Sequence, residues 1–369
     1  MPNPSILPFA LPPALPVWSL AAPLLALLLL VLLGGTGLSV LLIALVAACL
    51  MAAVLAAVHH AEVVAHRVGE PYGSLVLAVA VTIIEVALIV SLMLAGGEST
   101  NALARDTVFS AIMIVCNGVV GLCLLAGGLR HRVMAFRVEG TSPTLAVLAA
   151  LSTLTLVLPA FTTSTLGPTF TRGQLLFAGT VSLVLYGAFV FVQAVRHRDY
   201  FLPAEGVDDH HAHAEPPSGR VALASLALLL LCLVGVVGLA KLLAPTIESA
   251  VRGIGAPQAV VGVIVALLVL APETLAAVRA ALHNRLQTSL NLALGSGLAS
   301  IGLTIPAVAV LSLFFPHPLV LGLEATGMVL LLLTFLVGNL TLGSGRATVL
   351  QGAVHLVLFA VFLFLAVVP

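Results

Sequence analysis

Two glutamates lie inside long apolar stretches of this sequence, and they are the residues best placed to do chemistry. Glu85 lies in the middle of an otherwise uncharged run from Gly73 to Leu94, and Glu273 lies late in a second run, directly after Pro272. A charged side chain at the bilayer centre costs about 2.5–3.5 kcal/mol on insertion scales, so such a residue usually serves a function. Because the two glutamates fall in opposite halves of the chain, they are candidates for one shared ion site.

Two carboxylates that face one another can bind a divalent cation. They neutralise Ca²⁺, a hard cation that takes about six to eight oxygen ligands. Further oxygens are expected from Thr82, three residues before Glu85, from Ser296 and Ser300, from waters, and from carbonyls freed at helix interruptions. These three hydroxyls equally suit helix packing. Without the cation, two desolvated carboxylates repel each other and take up protons, so Ca²⁺ and H⁺ would compete for one site.

Glu62 and His66 indicate a route for protons to this site. They stand four residues apart near the cytoplasmic end of the second apolar stretch, and they could pass protons between the cytoplasm and Glu85. A solvated helix end is an equally good interpretation. Glu324, shallow in the tenth apolar stretch, is interpreted as an interfacial residue.

The long polar segment from Arg196 to Arg220 has an acidic, histidine-rich centre. Its candidate cation contacts are Asp208, Asp209, His210, His211 and His213. This composition suits a regulatory contact with divalent cations on the cytoplasmic side. The competing interpretation, which we favour, is a solvated linker that joins two halves of the chain.

The composition places these residues in a membrane protein. Of the 369 residues, 61% are hydrophobic and only 8% are charged, whereas soluble domains carry charge on roughly a quarter of their residues. The expected surroundings are therefore a lipid bilayer, and the net charge of zero argues against a nucleic-acid partner. The four cysteines lie inside apolar runs without metal-ligand spacing and are interpreted as small buried side chains.

Apolar segments of about 17–25 residues predict an all-α integral membrane protein with about eleven transmembrane helices. The runs are continuous rather than alternating, which argues against barrel strands. The expected limits are 17–34, 37–58, 73–95, 107–128, 144–161, 174–195, 221–243, 258–282, 288–313, 318–340 and 348–368. The fifth span is expected to be broken by Pro159, and the ninth by Gly295, Gly297 and Pro306.

The arginines and lysines predict the orientation in the membrane. With a cytoplasmic N-terminus, ten of them fall on the cytoplasmic side, and four, Arg105, Arg172, Lys241 and Arg252, fall on the other side. Cytoplasmic loops carry the excess of positive charge. We therefore expect a multi-pass protein of the inner (plasma) membrane, with its N-terminus in the cytoplasm and its C-terminus outside.

The second half of the chain repeats the layout of the first. The predicted divisions are an N-terminal segment with an extra first helix (1–36), a first five-helix repeat (37–195), the acidic and histidine-rich linker (196–220) and a second five-helix repeat (221–369). An odd number of helices inverts the second repeat relative to the first. Secondary transporters with inverted repeats bind their ions near the bilayer midplane, where the repeats meet.

A membrane-embedded, metal-dependent enzyme is the distant alternative. The stretch from His60 to His66 loosely resembles the HExxH motif of zinc proteases, but its histidines are six residues apart and the motif needs a separation of four. The sequence offers no paired nucleophile and no nucleotide motif. We therefore expect no catalytic residue and no cofactor, only transported ions.

At these residues the chain resembles the cation/Ca²⁺ exchanger superfamily, and within it the branch of microbial calcium (and sodium or potassium)/proton antiporters. The first repeat of that family has two glutamates 23 residues apart with a Gly-xxx-Gly turn between them. The matching residues here are Glu62, Gly69, Gly73 and Glu85. In the second repeat a glutamate precedes a basic-Asn-basic triplet and a Gly-Ser stretch that ends in Ile-Pro. The matching residues are Glu273, His283-Asn284-Arg285, Gly295-Ser296 and Ile305-Pro306.

The resemblance implies an antiporter with eleven spans that binds Ca²⁺ between the glutamates of its two repeats and exchanges it for H⁺. Many relatives have Gly-Asn shortly before each repeat glutamate, whereas this chain has Val81-Thr82 and Leu270-Ala271-Pro272 there. The loss of these amide ligands supports Na⁺ or K⁺ as the alternative cation at the same site. The sequence leaves selectivity, stoichiometry and homo-oligomer formation open.

Overall fold

The computed structural model describes residues 15–34, 39–69, 72–96, 100–202, 216–253, 255–314 and 318–369. Most of these residues are helical. The α-helices are α1 (Val17–Leu33), α2 (Val40–Val68), α3 (Tyr72–Gly96), α4 (Leu103–Met113), α5 (Val120–His131), α6 (Val138–Ser152), α7 (Arg172–Phe191), α8 (Gly219–Gly253), α9 (Ala259–Leu282), α10 (Leu286–Leu311), α11 (Ala325–Leu342) and α12 (Val349–Val367). Two short strands, β1 (Met134–Ala135) and β2 (Arg346–Ala347), pair antiparallel.

Ten helical segments within the described ranges are long and apolar enough to cross a membrane. One of them joins α4 to α5 through a π-helical turn, Ile114–Val119, and another continues α6 to Ala160 through a second π-helical turn, Thr153–Val157. The extra N-terminal helix, α1, is also apolar but has only 17 residues. The prediction of a helical membrane protein with about eleven apolar helices is confirmed.

Several helix limits differ from the predicted ones. α2 continues ten residues past the expected end at 58, because His59, His60 and Glu62 are compatible with a helix and only Gly69, with φ of 78°, ends it. α8 likewise runs ten residues beyond the expected end at 243. α11 starts at Ala325 instead of near 318, so the first residues of the predicted tenth span, 318–324, precede the helix.

The two predicted breaks have different outcomes. Pro159 lies in a 3₁₀ turn that ends the fifth span. α10, by contrast, is continuous, so the break expected in the ninth span is wrong. Its glycines allow close packing: a Cβ added at Gly297 would lie 3.3 Å from Val115, and one at Gly302 would lie 2.8 Å from Tyr186. Small residues at such positions let membrane helices approach one another.

The chain divides into two compact units, of which unit 1 comprises residues 1–80 and 213–243, and unit 2 comprises 81–212 and 244–369. Within unit 1, α1 packs on α2, where the His60 Nε2 atom lies 3.0 Å from the carbonyl oxygen of Ser19. Gly235 of α8 packs against Ala26 of α1.

Within unit 2, hydrogen bonds gather the connecting segments into two groups at opposite ends of the helices. In the first group, β1 pairs with β2, and the Asn291 side chain donates to the carbonyl of Phe201 at 2.6 Å. In the second group, the Val320 N–H donates to the carbonyl of Asn101. The arginines in or beside the first group are Arg130, Arg132, Arg137, Arg196, Arg198, Arg279, Arg285 and Arg346. The second group has Arg105 and Arg172, so positive charge is strongly concentrated at the first end.

Candidate ion-binding site

Glu85 occupies the middle of α3 and is only 3% exposed. The Ser300 hydroxyl of α10 donates a hydrogen bond of 2.7 Å to its Oε1 atom. Thr304, one helical turn further along α10, also lies beside the carboxylate. A hydrogen bond to an ionised acceptor is stronger than one between neutral groups, so the Ser300 hydroxyl is placed to stabilise the carboxylate form of this buried side chain.

The hydroxyls on α10 recur every four residues and therefore lie on one face of the helix. Ser300 and Thr304 are buried, while Ser296 is half-buried at the start of this row. Of the three hydroxyl residues predicted for the site, Ser300 contacts Glu85, whereas Thr82 and Ser296 form no hydrogen bond with it in the described structure. Thr82 is buried, with only 6% of its surface exposed. Thr304 was missed, although its four-residue spacing from Ser300 was a usable signal.

Glu273 lies in α9, which remains helical on both sides of Pro272. Proline has no N–H to donate, so the carbonyl of Leu268 loses its usual intrahelical partner. The Glu273 side chain is half-buried, with its Oε2 atom shielded from solvent. α9 packs against α4, α5 and α10, and the helix of the second glutamate therefore adjoins the helix that carries Ser300.

Glu62 and His66 are both exposed on α2, one helical turn apart in unit 1. Their predicted role in proton passage stays a prediction. The five candidate cation contacts of the polar segment, Asp208, Asp209, His210, His211 and His213, lie outside the described residues. Their regulatory role also stays a prediction.

A second buried polar cluster in unit 2 was not predicted as a unit. Its members are Asn117, Thr334, Thr341 and His355, each at most 3% exposed. The Asn117 amide donates to Thr334 Oγ1 at 2.9 Å, and its Oδ1 atom lies 3.3 Å from His355 Nδ1. These residues stand singly in apolar runs, up to 238 positions apart, so no local spacing connects them.

An ion pair lies at the end of unit 2 that has few arginines. Arg105 contacts the Asp106 carboxylate at 2.8 Å and also donates to the carbonyl of Gly322 at 3.3 Å. Asp106 is 7% exposed, and α9 approaches it so closely that a Cβ on Gly262 would lie 2.8 Å from its side chain. Glu324 at the start of α11 is exposed, as its interpretation as an interfacial residue requires.

Comparisons with known proteins give one consistent result. The sequence model of the family described as sodium/calcium exchanger protein matches residues 38–195 and again 224–368. The protein y4hA of Sinorhizobium fredii, which is described by name as an ionic transporter, is 55% identical over 90% of both chains. The sodium-potassium/proton antiporter ChaA of Escherichia coli is 38% identical over 83% of both chains. The solved structure of YfkE has a TM-score of 0.71 at 18% identity, and the match covers 96% of this chain and 99% of that one, so the fold is shared.

Proposed function

Because the chain belongs to the sodium/calcium exchanger protein family, a family of transporters and not of enzymes, we propose that this multi-pass membrane protein is a secondary antiporter that exchanges Ca²⁺ for H⁺. Membership of this family removes the metal-dependent enzyme from consideration.

The burial of Glu85 carries the proposal. Within the described ranges, no lysine or arginine forms an ion pair with Glu85. A buried carboxylate needs a compensating cation or a proton, because an uncompensated charge in an apolar interior is very costly. The hydroxyls of Ser300 and Thr304 supply neutral oxygens of the kind that Ca²⁺ accepts as ligands.

Competition between the ion and the proton couples the two fluxes. Ca²⁺ binds to ionised carboxylates, so protonation of Glu85 and Glu273 releases it, and its return expels the protons. Transport follows if the site opens to the two sides of the membrane in turn. The family model matches the chain twice, once in each half, which supports two repeats, 37–195 with Glu85 and 221–369 with Glu273.

A Na⁺ or K⁺/H⁺ antiporter using the same glutamates is the second candidate. The relative from Escherichia coli, at 38% identity, is a sodium-potassium/proton antiporter by name. The site also lacks an amide side chain shortly before either glutamate, where the chain has Val81-Thr82 and Leu270-Ala271-Pro272. Ca²⁺ takes about six to eight oxygen ligands, so the absence of these amide oxygens removes ligands that it would use and favours this candidate.

The uneven distribution of arginines supports an orientation. We place the arginine-rich end of unit 2 in the cytoplasm, and we propose a cytoplasmic N-terminus and an outside C-terminus from the arginines and lysines of the whole sequence. Protons from the cytoplasm would then reach the site by way of Glu62 and His66.

The test is a pH-gradient assay in proteoliposomes to which Ca²⁺, Na⁺ or K⁺ is added separately. We expect Ca²⁺ to drive proton movement in the wild-type protein, and we expect Glu85→Gln and Glu273→Gln each to abolish it. Glu139→Gln is the matched control, since Glu139 is an exposed glutamate in the first turn of α6. A response to Na⁺ or K⁺ alone overturns the assignment of Ca²⁺. The absence of cation-driven proton flux in folded wild-type protein overturns the antiporter.

A further inference from the structure

His355 lies in α12 and is 1% exposed, in a helix that packs tightly on α5. A Cβ added at Gly121 of α5 would lie 3.1 Å from the Cβ of His355. The imidazole ring is therefore enclosed by helices of unit 2. The transport mechanism proposed above assigns no role to this buried ring.

The hydrogen bonds around His355 define its tautomer. The Asn117 Nδ2 atom donates to Thr334 Oγ1, which in turn donates to the carbonyl of Leu330 at 2.7 Å. The Asn117 Oδ1 atom therefore faces His355 Nδ1, and Nδ1 must carry the proton that it donates. His355 Nε2 is then the acceptor for the Thr341 hydroxyl, 3.1 Å away. Each member of this chain of hydrogen bonds has a defined direction.

The same ring contacts the π-helical turn between α4 and α5. In that turn the Val120 N–H, the usual α-helical partner of the Cys116 carbonyl, donates instead to the carbonyls of Val115 and Asn117. His355 contacts this turn through Asn117, whose Oδ1 atom lies 3.3 Å from His355 Nδ1. The imidazole ring of His355 is thus hydrogen-bonded to the side chain of a residue within this non-standard turn.

The π-helical turn in turn contacts the helix of the ion site. Val115 packs against Gly297 of α10, where an added Cβ would lie 3.3 Å from the valine side chain. Ser300, which binds Glu85, lies three residues after Gly297, on the same helical face. A continuous set of contacts therefore leads from His355 through the turn to the carboxylate of Glu85.

We propose that His355 is a positioning residue for ion binding: its Nδ1–H holds Asn117 and the π-helical turn, and the turn fixes α10 so that Ser300 meets Glu85. The inference rests on the proposed role of Glu85 in transport. It predicts that ion binding requires an N–H group at the position of Nδ1, and that a side chain of similar volume without this group is not sufficient.

Two substitutions separate these possibilities. His355→Asn places an amide N–H near the position of Nδ1, whereas His355→Gln places one near the position of Nε2. In the proteoliposome assay we expect His355→Asn to transport with nearly the wild-type KM for the cation. We expect His355→Gln to raise this KM about tenfold, because it loses one buried hydrogen bond, and to change kcat less. Ser182→Ala serves as the control, because Ser182 of α7 is as buried as His355.

Cys116 gives a second measurement that does not depend on transport. The thiol is 3% exposed and lies in the π-helical turn itself. With the other cysteines replaced by alanine, its rate of modification by N-ethylmaleimide reports opening of the turn. We expect the rate to rise about tenfold in His355→Gln and to stay near the wild-type value in His355→Asn, because only the former loses the Nδ1 donor.

Equal modification rates in these two variants overturn the positioning role, whatever the transport assay gives. If wild-type protein shows no cation-driven flux while the rates still differ as expected, the proposed function fails and the local effect of His355 on the turn remains. Both variants are compared only as monodisperse, folded protein.

Discussion

Ser300 Oγ lies 2.7 Å from Glu85 Oε1, although the two residues are 215 positions apart in the chain. The contact joins the second helix of the predicted first repeat to the third helix of the second. A glutamate from one half therefore depends on the other half for its hydrogen-bond donor. The site therefore forms only when the two halves of the chain have folded together.

Replacing Ser300 with alanine should weaken cation binding without unfolding the protein. The substitution removes a donor to the Glu85 carboxylate, so the ionised form that binds the cation becomes less favourable. A hydrogen bond to a charged group contributes about 1.5–3 kcal/mol, so the KM for the cation should rise at least about tenfold. The measurement is cation-driven proton flux against cation concentration. Ser225→Ala, a fully buried hydroxyl in α8, should leave KM unchanged; an equal rise there would contradict the specific role of Ser300.

Glu85→Gln should separate activity from stability. The glutamine side chain can still accept the hydrogen bond from Ser300, and it brings no charge into a site that is 3% exposed. Because a charged carboxylate at bilayer depth is costly, we expect the melting temperature in detergent to stay equal or to rise while transport is lost. A large fall in melting temperature would mean that Glu85 serves mainly to hold the fold together.

Gly297 and Gly295 form a matched pair for testing the contact between α10 and the π-helical turn. A Cβ at Gly297 meets Val115 at 3.3 Å, whereas a Cβ at Gly295 meets nothing within 4 Å. Gly297→Leu should therefore overpack the interface, at a cost of about 1–3 kcal/mol, and should lower both melting temperature and transport. Gly295→Leu should be tolerated. Thermal unfolding of the two variants side by side decides the matter, and equal destabilisation would contradict the described packing.

The ion pair of Arg105 and Asp106 should be strongly coupled. Arg105→Gln leaves the largely buried Asp106 carboxylate without its cation, which should destabilise the protein by about 3 kcal/mol. Replacing both residues, as Arg105→Gln with Asp106→Asn, should restore most of that loss because no unpaired charge remains. A double-mutant cycle of melting temperatures checks this. Additive losses would indicate that the pair contributes no interaction energy.

The predicted orientation can be tested with single cysteines. In a background where Cys49, Cys116, Cys123 and Cys232 are alanine, we expect Arg172→Cys to react with an impermeant maleimide on intact cells. Arg346→Cys should react only after the cells are opened, because it lies at the arginine-rich end. Both positions are exposed on the protein surface, so a difference in reaction reports the side of the membrane on which each lies. The reverse pattern would invert the assigned topology.

Much of this architecture could be predicted from the sequence because the bilayer imposes simple rules. Apolar runs of sufficient length gave the helices, and Glu85 stood out because a carboxylate at that depth is costly. Ser300 was predicted as well, as one of three hydroxyl residues expected to supply oxygens to the site, and it contacts Glu85. Helix ends were less certain, as α2 illustrates: His59 and Glu62 are polar but do not interrupt the backbone hydrogen bonds.

The contacts between distant helices could not be predicted in the same way. Asn117 and His355 each stand alone in an apolar run, and only the packing of α12 on α5 brings them within 3.3 Å. The π-helical turn is a further example, because it packs against α10 and α12, which are distant from it in the sequence. Gly297 was expected to interrupt α10, whereas it allows close contact with Val115, and the sequence alone does not distinguish these two uses of glycine.

The pairing of β1 with β2 has a mechanical consequence. These strands follow α5 and α11, which belong to different halves of the chain, and Phe136 adds a further backbone hydrogen bond to Gly345. These backbone hydrogen bonds hold the segment after α5 against the segment after α11 at the arginine-rich end of unit 2. We therefore expect this corner to act as a pivot during transport, so that the helices swing least here and most at the opposite end, near Arg105.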